Sequence, residues 1–173
     1  MKNEEGRELV LKEVREKSPR KDLAEREGKM LLLANSVGVG PKVYEVNYEE
    51  NYVLMEYIKG AELFSWIMGK NFDKEVSAEQ FYDFVKELYK QLFALDKINL
   101  SHNQLRVGKN ILVTKVIDPK TKSEKYFPTI IDFEKATIKE GHKKNVGQME
   151  ALLFFNPHGA IAKKVREKMN LVL

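Results

Sequence analysis

Residues 9–46 read LVLKEVREKSPRKDLAEREGKMLLLANSVGVGPKVYEV. From Arg7 to Val14 the residues alternate, with Leu9 and Leu11 on one side and Val10, Lys12 and Val14 on the other, which is the period of a strand. Ser18-Pro19 breaks that pattern. Leu23, Glu27, Met30, Ala34 and Val37 then recur at spacings of 4, 3, 4 and 3, one face of a helix that ends at Gly38. Gly38-Val39-Gly40 reads as the helix cap and turn, because no helix opens after it to present free amides to a phosphate. Two charges interrupt the apolar faces, Lys12 in the strand and Glu27 in the helix. Each alone has an ordinary explanation: a lysine that snorkels at a strand edge, a glutamate at the margin of its face. Taken together they gain weight, because a buried ammonium on a strand needs a carboxylate and the next element carries one facing inward.

On the carboxyl-terminal side, Pro41 opens an apolar alternation through Val46, residues 48–51 make a polar turn, and residues 52–57 are strand formers, so the pair predicts a hairpin. Lys59-Gly60 precedes a short amphipathic segment at 63–68, and 69–73 reads as loop. A long helix starts at Ser77, a plausible N-cap, with Phe81, Phe84, Val85, Leu88, Leu92 and Leu95 on one stripe. Trp66 and that aromatic stripe read as core. Residues 111–116 and 126–131 flank the charged turn at 118–122, a second hairpin. Asp132 closes the run Thr129-Ile130-Ile131, so its carboxylate emerges where a buried strand ends. Helices follow at 146–155 and 160–169, separated by Asn156-Pro157. This order predicts an α+β chain forming one domain, with a small mixed lobe over 1–57 and a mainly helical lobe over 58–173.

The chain has 173 residues and no cysteine, which excludes disulfide scaffolds and cysteine-based zinc sites. His102, His142 and His158 lack paired-ligand spacing, so a histidine metal site is not expected. No stretch is apolar enough to span a membrane, and the first residues lack the apolar core of a signal peptide; a cytoplasmic protein is expected. Abundant Lys and Glu with four Gln suits a surface laced with ion pairs, a thermophile trait. The net charge of +4 is mixed along the chain, a weak pointer to nucleic acid. Lys139, His142, Lys143 and Lys144 form a basic cluster that reads as a solvated loop or as a landing place for phosphate or RNA.

The order strand lysine, helix glutamate, distant strand-terminal aspartate is similar to that of protein kinases. LVLKEV resembles the strand of the nucleotide lysine, and AEREGKMLLLANSVGVGPKVYEV the helix and strand that follow it in RIO-like kinases. YVLMEYIKGAEL resembles their hinge, LSHNQLRVGKNILV stands in place of the catalytic loop, and IIDFEKA in place of the magnesium motif, reading Asp-Phe-Glu. The overall resemblance is to small archaeal serine/threonine kinases of this class. It implies a minimal two-lobed protein-kinase-like fold that uses ATP and magnesium, with a reduced front lobe and a short helical back lobe. On that resemblance Lys12 would bind phosphate, Glu27 would pair with Lys12, and Asp132 would hold magnesium with help from Asn110. Backbone groups of Glu56 and Ile58, on either side of Tyr57, would meet adenine. His102 and Gln104 would line the reacting hydroxyl of a protein or small-molecule acceptor.

Three departures accompany the resemblance. Gln104 stands where the family has its general-base aspartate, and an amide cannot accept a proton as a carboxylate does. Asn110 follows Gln104 by six residues, one more than in the family pattern. Only eleven residues precede Lys12, with Gly6 their sole glycine, so the glycine-rich phosphate hairpin is expected to be absent or reduced to a stub, and little room is left for a peptide platform after Phe133. The expectation is therefore an atypical magnesium-dependent phosphotransferase acting on Ser or Thr. Its alternative is a pseudokinase, a nucleotide-binding or scaffolding module without transfer.

Overall fold

The first strand, β1 (Leu9–Glu13), pairs antiparallel with β3 (Tyr52–Glu56), and β3 pairs with β2 (Val43–Asn47), giving a three-stranded sheet in the order β1-β3-β2. The computed structural model describes residues 6–13, 22–141 and 144–171. Val14, the Ser18-Pro19 break, and His142 and Lys143 of the basic cluster lie outside the described residues. The hairpin predicted from residues 41–57 is present, with Asn51 at positive φ in its turn. β1 is less buried than its alternation implies. It lies at the edge of the sheet, where Val10 and Leu11 are 37% and 42% exposed.

The helix predicted after β1 forms in two pieces, a π turn at Ala24–Gly28 running into α1 (Lys29–Asn35). Its backbone starts on a cap from another element: the Ala24 N–H donates to Asn51 Oδ1 at 2.9 Å. Gly28 lets the helix lie close on the sheet, because a Cβ there would come within 2.6 Å of the Val46 side chain. Leu31 and Ala34 are buried in the core that also takes in Val53 and Met55 of β3. Gly38 adopts positive φ at the helix end, the capping role read from the sequence. Asn35 fixes the turn that follows: its Nδ2 donates to the Val39 and Pro41 carbonyls, and its Oδ1 accepts from the Val43 N–H.

A second sheet has the order β4-β6-β7, from β4 (Ala61–Glu62), β6 (Ile111–Ile117) and β7 (Glu124–Ile130); β5 (Leu100–Ser101) and β8 (Thr137–Ile138) make a two-stranded pair. The predicted hairpin of β6 and β7 is present in full register, Ile111 opposite Ile130 through Ile117 opposite Glu124. The two-residue strands β4, β5 and β8 are not readable from the sequence, because two residues carry no period. Helices α2 (Leu63–Met68), α3 (Phe72–Glu75), α4 (Ala78–Lys97), α5 (Asn145–Glu150) and α6 (Ala160–Met169) complete the fold, and a second π segment at Ala151–Phe155 extends α5. The loop expected at 69–73 is corrected in part: its end forms α3, whose Phe72 is buried edge-on against Trp66.

The long helix α4 is the centre of the core. Ser77 and Gln80 close a capping box at its start, each side chain bonding the other's backbone N–H. Phe81, Phe84, Leu88, Leu92 and Leu95 are fully buried, as their spacing predicts. Trp66 packs with centroids 4.9 Å from Phe84 and 5.1 Å from Tyr126. Two glutamine amides tie the same helix to β7, Gln80 Nε2 donating to the Glu124 carbonyl and Gln91 Nε2 to the Pro128 carbonyl. Among the described residues no helix is long and apolar enough to cross a membrane.

Candidate functional site

Lys12, Glu27 and Asp132, 120 residues apart at their extremes, converge on one point. The Lys12 ammonium forms an ion pair with the Glu27 carboxylate and donates to Asp132 Oδ1 at 3.0 Å. β1 supplies the lysine, the π turn before α1 supplies the glutamate, and the turn after β7 supplies the aspartate. The π turn carries one extra residue per turn, a geometry frequent at functional sites. Glu27 is 1% exposed, whereas the Lys12 and Asp132 side chains are 35% and 36% exposed. The glutamate is therefore the buried anchor, and the other two face the open side.

The charges reflect this arrangement. Burial pushes the Glu27 carboxyl above its ordinary value, and the Lys12 ammonium beside it pulls back against that rise. Burial pulls Lys12 down, but Glu27 and then Asp132 outweigh it, so the ammonium is held above its ordinary value and stays charged at neutral pH. The pair's own contribution to stability is small, because desolvating two charges offsets much of their attraction.

Asp132 sits in the left-handed region at φ 64°. Asp tolerates that region better than most residues, yet a non-glycine residue there is a local strain, of a kind that clusters at functional sites. The conformation turns the chain out of β7 and into a 3₁₀ turn at Phe133–Lys135. Phe133 is fully buried and packs against Gly40, where a Cβ would come within 2.7 Å of Leu31 and 3.1 Å of the Phe133 ring. The glycine after α1 thus admits the side chain that anchors the aspartate loop.

The loop from β5 to β6 brings the other predicted residues alongside. His102 is fully buried, its Nε2 lies 2.8 Å from the Ile131 carbonyl, and its ring packs edge-on against Phe133. A carbonyl only accepts, so Nε2 carries the proton and donates. Burial holds the imidazole below its ordinary pKa, hence neutral. His102 therefore braces the aspartate loop and has no exposed nitrogen for a substrate, which corrects its placement beside a reacting hydroxyl. Gln104 is half-buried at the head of the 3₁₀ turn Leu105–Val107, and Asn110 Nδ2 donates to the Gln104 carbonyl at 3.4 Å. The Asn110 carbonyl accepts from the Ile131 N–H at 3.0 Å, so the asparagine stands beside the strand end that carries Asp132, and Gly108 turns the loop before it at positive φ.

The predicted hinge lies at the end of β3. The Glu56 N–H is bonded to the Lys42 carbonyl and the Tyr57 N–H to the Glu8 carbonyl. No backbone partner is found among the described residues for the Ile58 N–H. Glu56 and Ile58 are the residues whose backbone groups are expected to meet adenine.

One buried network carried no motif. Asn145, the first residue of α5, accepts from the His102 N–H at 2.9 Å through Oδ1 and donates through Nδ2 to Asp96 Oδ1 at 2.8 Å and to the Leu100 carbonyl at 2.7 Å. Asp96 Oδ2 accepts from the Val146 N–H. Only contacts spanning more than 40 residues reveal this network. Asn103 adds a surface tie from the same loop, donating to the Lys135 carbonyl and to Thr137 Oγ1.

The donor set suits a hard divalent cation only in company. Among the described residues no three His, Cys, Asp or Glu side chains gather as a metal site. Magnesium, however, is commonly held by one or two carboxylates together with substrate phosphates and water. Asp132 and the amide oxygen of Asn110 fit that use. A depression of about 770 Å³ bordered by Phe155, Lys163, Arg166 and Leu171 contains none of these residues, so volume does not mark the site.

No protein-family model matches the chain, and no curated protein matches it. Solved structures do. The chain superimposes over 99% of its length on the crystal structure of the Rio2 kinase from Chaetomium thermophilum, with a TM-score of 0.62 and 15% identity. It likewise superimposes over 99% of its length on the crystal structure of the Rio2 kinase-ADP/Mg2+-phosphoaspartate complex from the same organism, with a TM-score of 0.59 and 16% identity. It spans about half of those chains, 54% and 52%. The fold is therefore the protein-kinase-like α+β fold expected from the sequence.

Proposed function

We propose that the chain is a magnesium- and ATP-dependent phosphotransferase of the protein-kinase-like class, acting on a Ser or Thr hydroxyl. The observation that carries this reading is Lys12 bridging buried Glu27 and half-exposed Asp132 on one open face. In this reading Lys12 neutralises phosphate oxygens, Glu27 fixes the direction of its ammonium, and Asp132 with Asn110 holds the metal. Bound magnesium would neutralise charge on the phosphates. Backbone groups of Ile58 and Glu56 at the end of β3 suit the edge of an adenine, and the ADP and Mg2+ of the Rio2 complex are consistent with the nucleotide and metal assignments. Phosphoryl transfer depends mainly on positioning and charge neutralisation. With Gln104 in place of a carboxylate, the enzyme lacks a contribution worth roughly 10²–10⁴ in rate.

That same Gln104 favours a second reading, a pseudokinase that binds nucleotide without transferring phosphate. A Mg-ATP titration alongside labelled-ATP transfer and hydrolysis assays, on wild type and Asp132→Ala, separates the two. The first reading expects Mg-ATP to bind at least about tenfold more weakly to Asp132→Ala, about 1.4 kcal/mol, with turnover lost. Binding without Asp132-dependent turnover leaves the pseudokinase. A wild-type protein that binds no Mg-ATP ends both readings.

A further inference from the structure

Beside the loop that carries Gln104 and Asn110, a groove of about 330 Å³ opens between that loop, α2, the π segment and the start of α6. Its apolar surface comes from Phe64, Val107, Leu152 and Ile161. Phe64 and Val107 are 42% and 55% exposed, unusual for large apolar side chains so near a buried core. The loop is held against this wall: the Phe64 N–H donates to the Gly108 carbonyl at 3.2 Å, and a Cβ on Gly108 would sit 3.4 Å from Leu152. The groove is therefore a built feature of the loop's own seat. Among the described residues its charged lining side chains are both cations, Arg106 and Lys109, exposed on the same loop, and no acidic side chain lines it. The first turn of α6, which ends on it, also carries no acidic residue.

We infer that this groove docks an acidic polypeptide segment bearing an aliphatic or aromatic anchor, the anchor seated on Phe64, Val107, Leu152 and Ile161 and the carboxylates on Arg106 and Lys109. Charge complementarity selects an acidic partner, and the apolar floor selects a peptide over a nucleic acid, which would want more cations and a stacking platform. That the docked segment belongs to the phosphoacceptor rests on the proposed transferase reading; the docking itself does not. Arg106 and Lys109 lie two residues from Gln104 and one from Asn110, so a segment held there presents a neighbouring hydroxyl to the loop.

The test uses the whole chain and fluorescein-labelled peptides of equal length: an acidic one with a central Leu-Phe anchor, the same with lysines for the acidic residues, and the same with serines for the anchor. A single-stranded RNA of similar length is the fourth probe. The acidic anchored peptide should bind best by anisotropy, more weakly as salt is raised. Binding should weaken about tenfold or more for Arg106→Glu/Lys109→Glu and several-fold for Val107→Ser, while the circular dichroism spectrum of each variant stays that of the wild type. All three residues are exposed, so folding is not at stake. Equal binding of the anchorless peptide, indifference to the charge reversal, or tighter competing binding of the RNA would overturn the inference. Peptide docking by a protein that shows no Asp132-dependent turnover of Mg-ATP would leave docking standing and remove the transferase reading alone.

Discussion

The two ends of the Lys12–Asp132 contact belong to regions built on different physics. Around α4, stability comes from area removed from water: Phe81, Phe84, Leu88, Leu92 and Leu95 are wholly buried, and Trp66, Phe72 and Tyr126 close over them. The sheet β1-β3-β2 is thin. Its edge strand exposes Val10 and Leu11, and its helix is held by the Asn51 cap, by Leu31 and Ala34, and by a glutamate paired to a half-exposed lysine. Groups that must meet a ligand are drawn from the less stable parts of a fold, where opening costs little. Lys12 lies in the thin region and Asp132 on a loop braced by the thick one, so the site lies on the seam between them.

If that contrast is right, truncating the thick region should have the largest effect. Phe84→Ala removes a fully buried ring at the centre of the aromatic cluster and should cost about 3–5 kcal/mol of a total on the order of 5–15 kcal/mol, read from the urea midpoint. A shift no larger than that of a surface substitution would break the comparison.

A smaller effect comes from pH, through His102. Its imidazole titrates near its ordinary value when unfolded and below it when folded, because burial disfavours the charged form. Between those values the unfolded chain binds more protons, so this contribution is complete above the unfolded value and is lost as pH falls through the folded one. Unfolding free energies measured from pH 8 downward should decline from about 6.5. His102→Gln keeps an N–H for the Ile131 carbonyl and should flatten that window; an unchanged slope would count against a neutral buried histidine.

The smallest effect should come from the thin region itself. Leu11→Thr, at the exposed edge of β1, should change stability by no more than about 0.5 kcal/mol in the same urea titration. A loss approaching that of Phe84→Ala would mean that the edge is covered in solution by something that hides its apolar side chains.

Much of this molecule was legible along the chain. The spacing of the apolar stripe located α4, Ser77 marked its start, Gly38 ended the earlier helix, and alternation around turn residues gave both hairpins. Lys12 and Glu27 stood out because each is a charge inside an apolar period, and Asp132 because it terminates a buried run. Alternation marked β1 as a strand but not its place at the sheet edge, which leaves Val10 and Leu11 in water. His102 looked like a substrate-facing group by position, but it turns inward to the Ile131 carbonyl.

By itself the sequence determined the longer elements and the types of charge available, because periodicity and capping act within a few residues. Only the tertiary structure decided that the Lys12 ammonium spans both Glu27 and Asp132, that Asn145 links Asp96 to the His102 backbone, and that Phe64, Leu152 and Ile161 border one groove with Arg106 and Lys109. Those relations join residues dozens of positions apart. No local pattern encodes them, since they arise only when α4 and the two sheets pack and fix which side chains share a space.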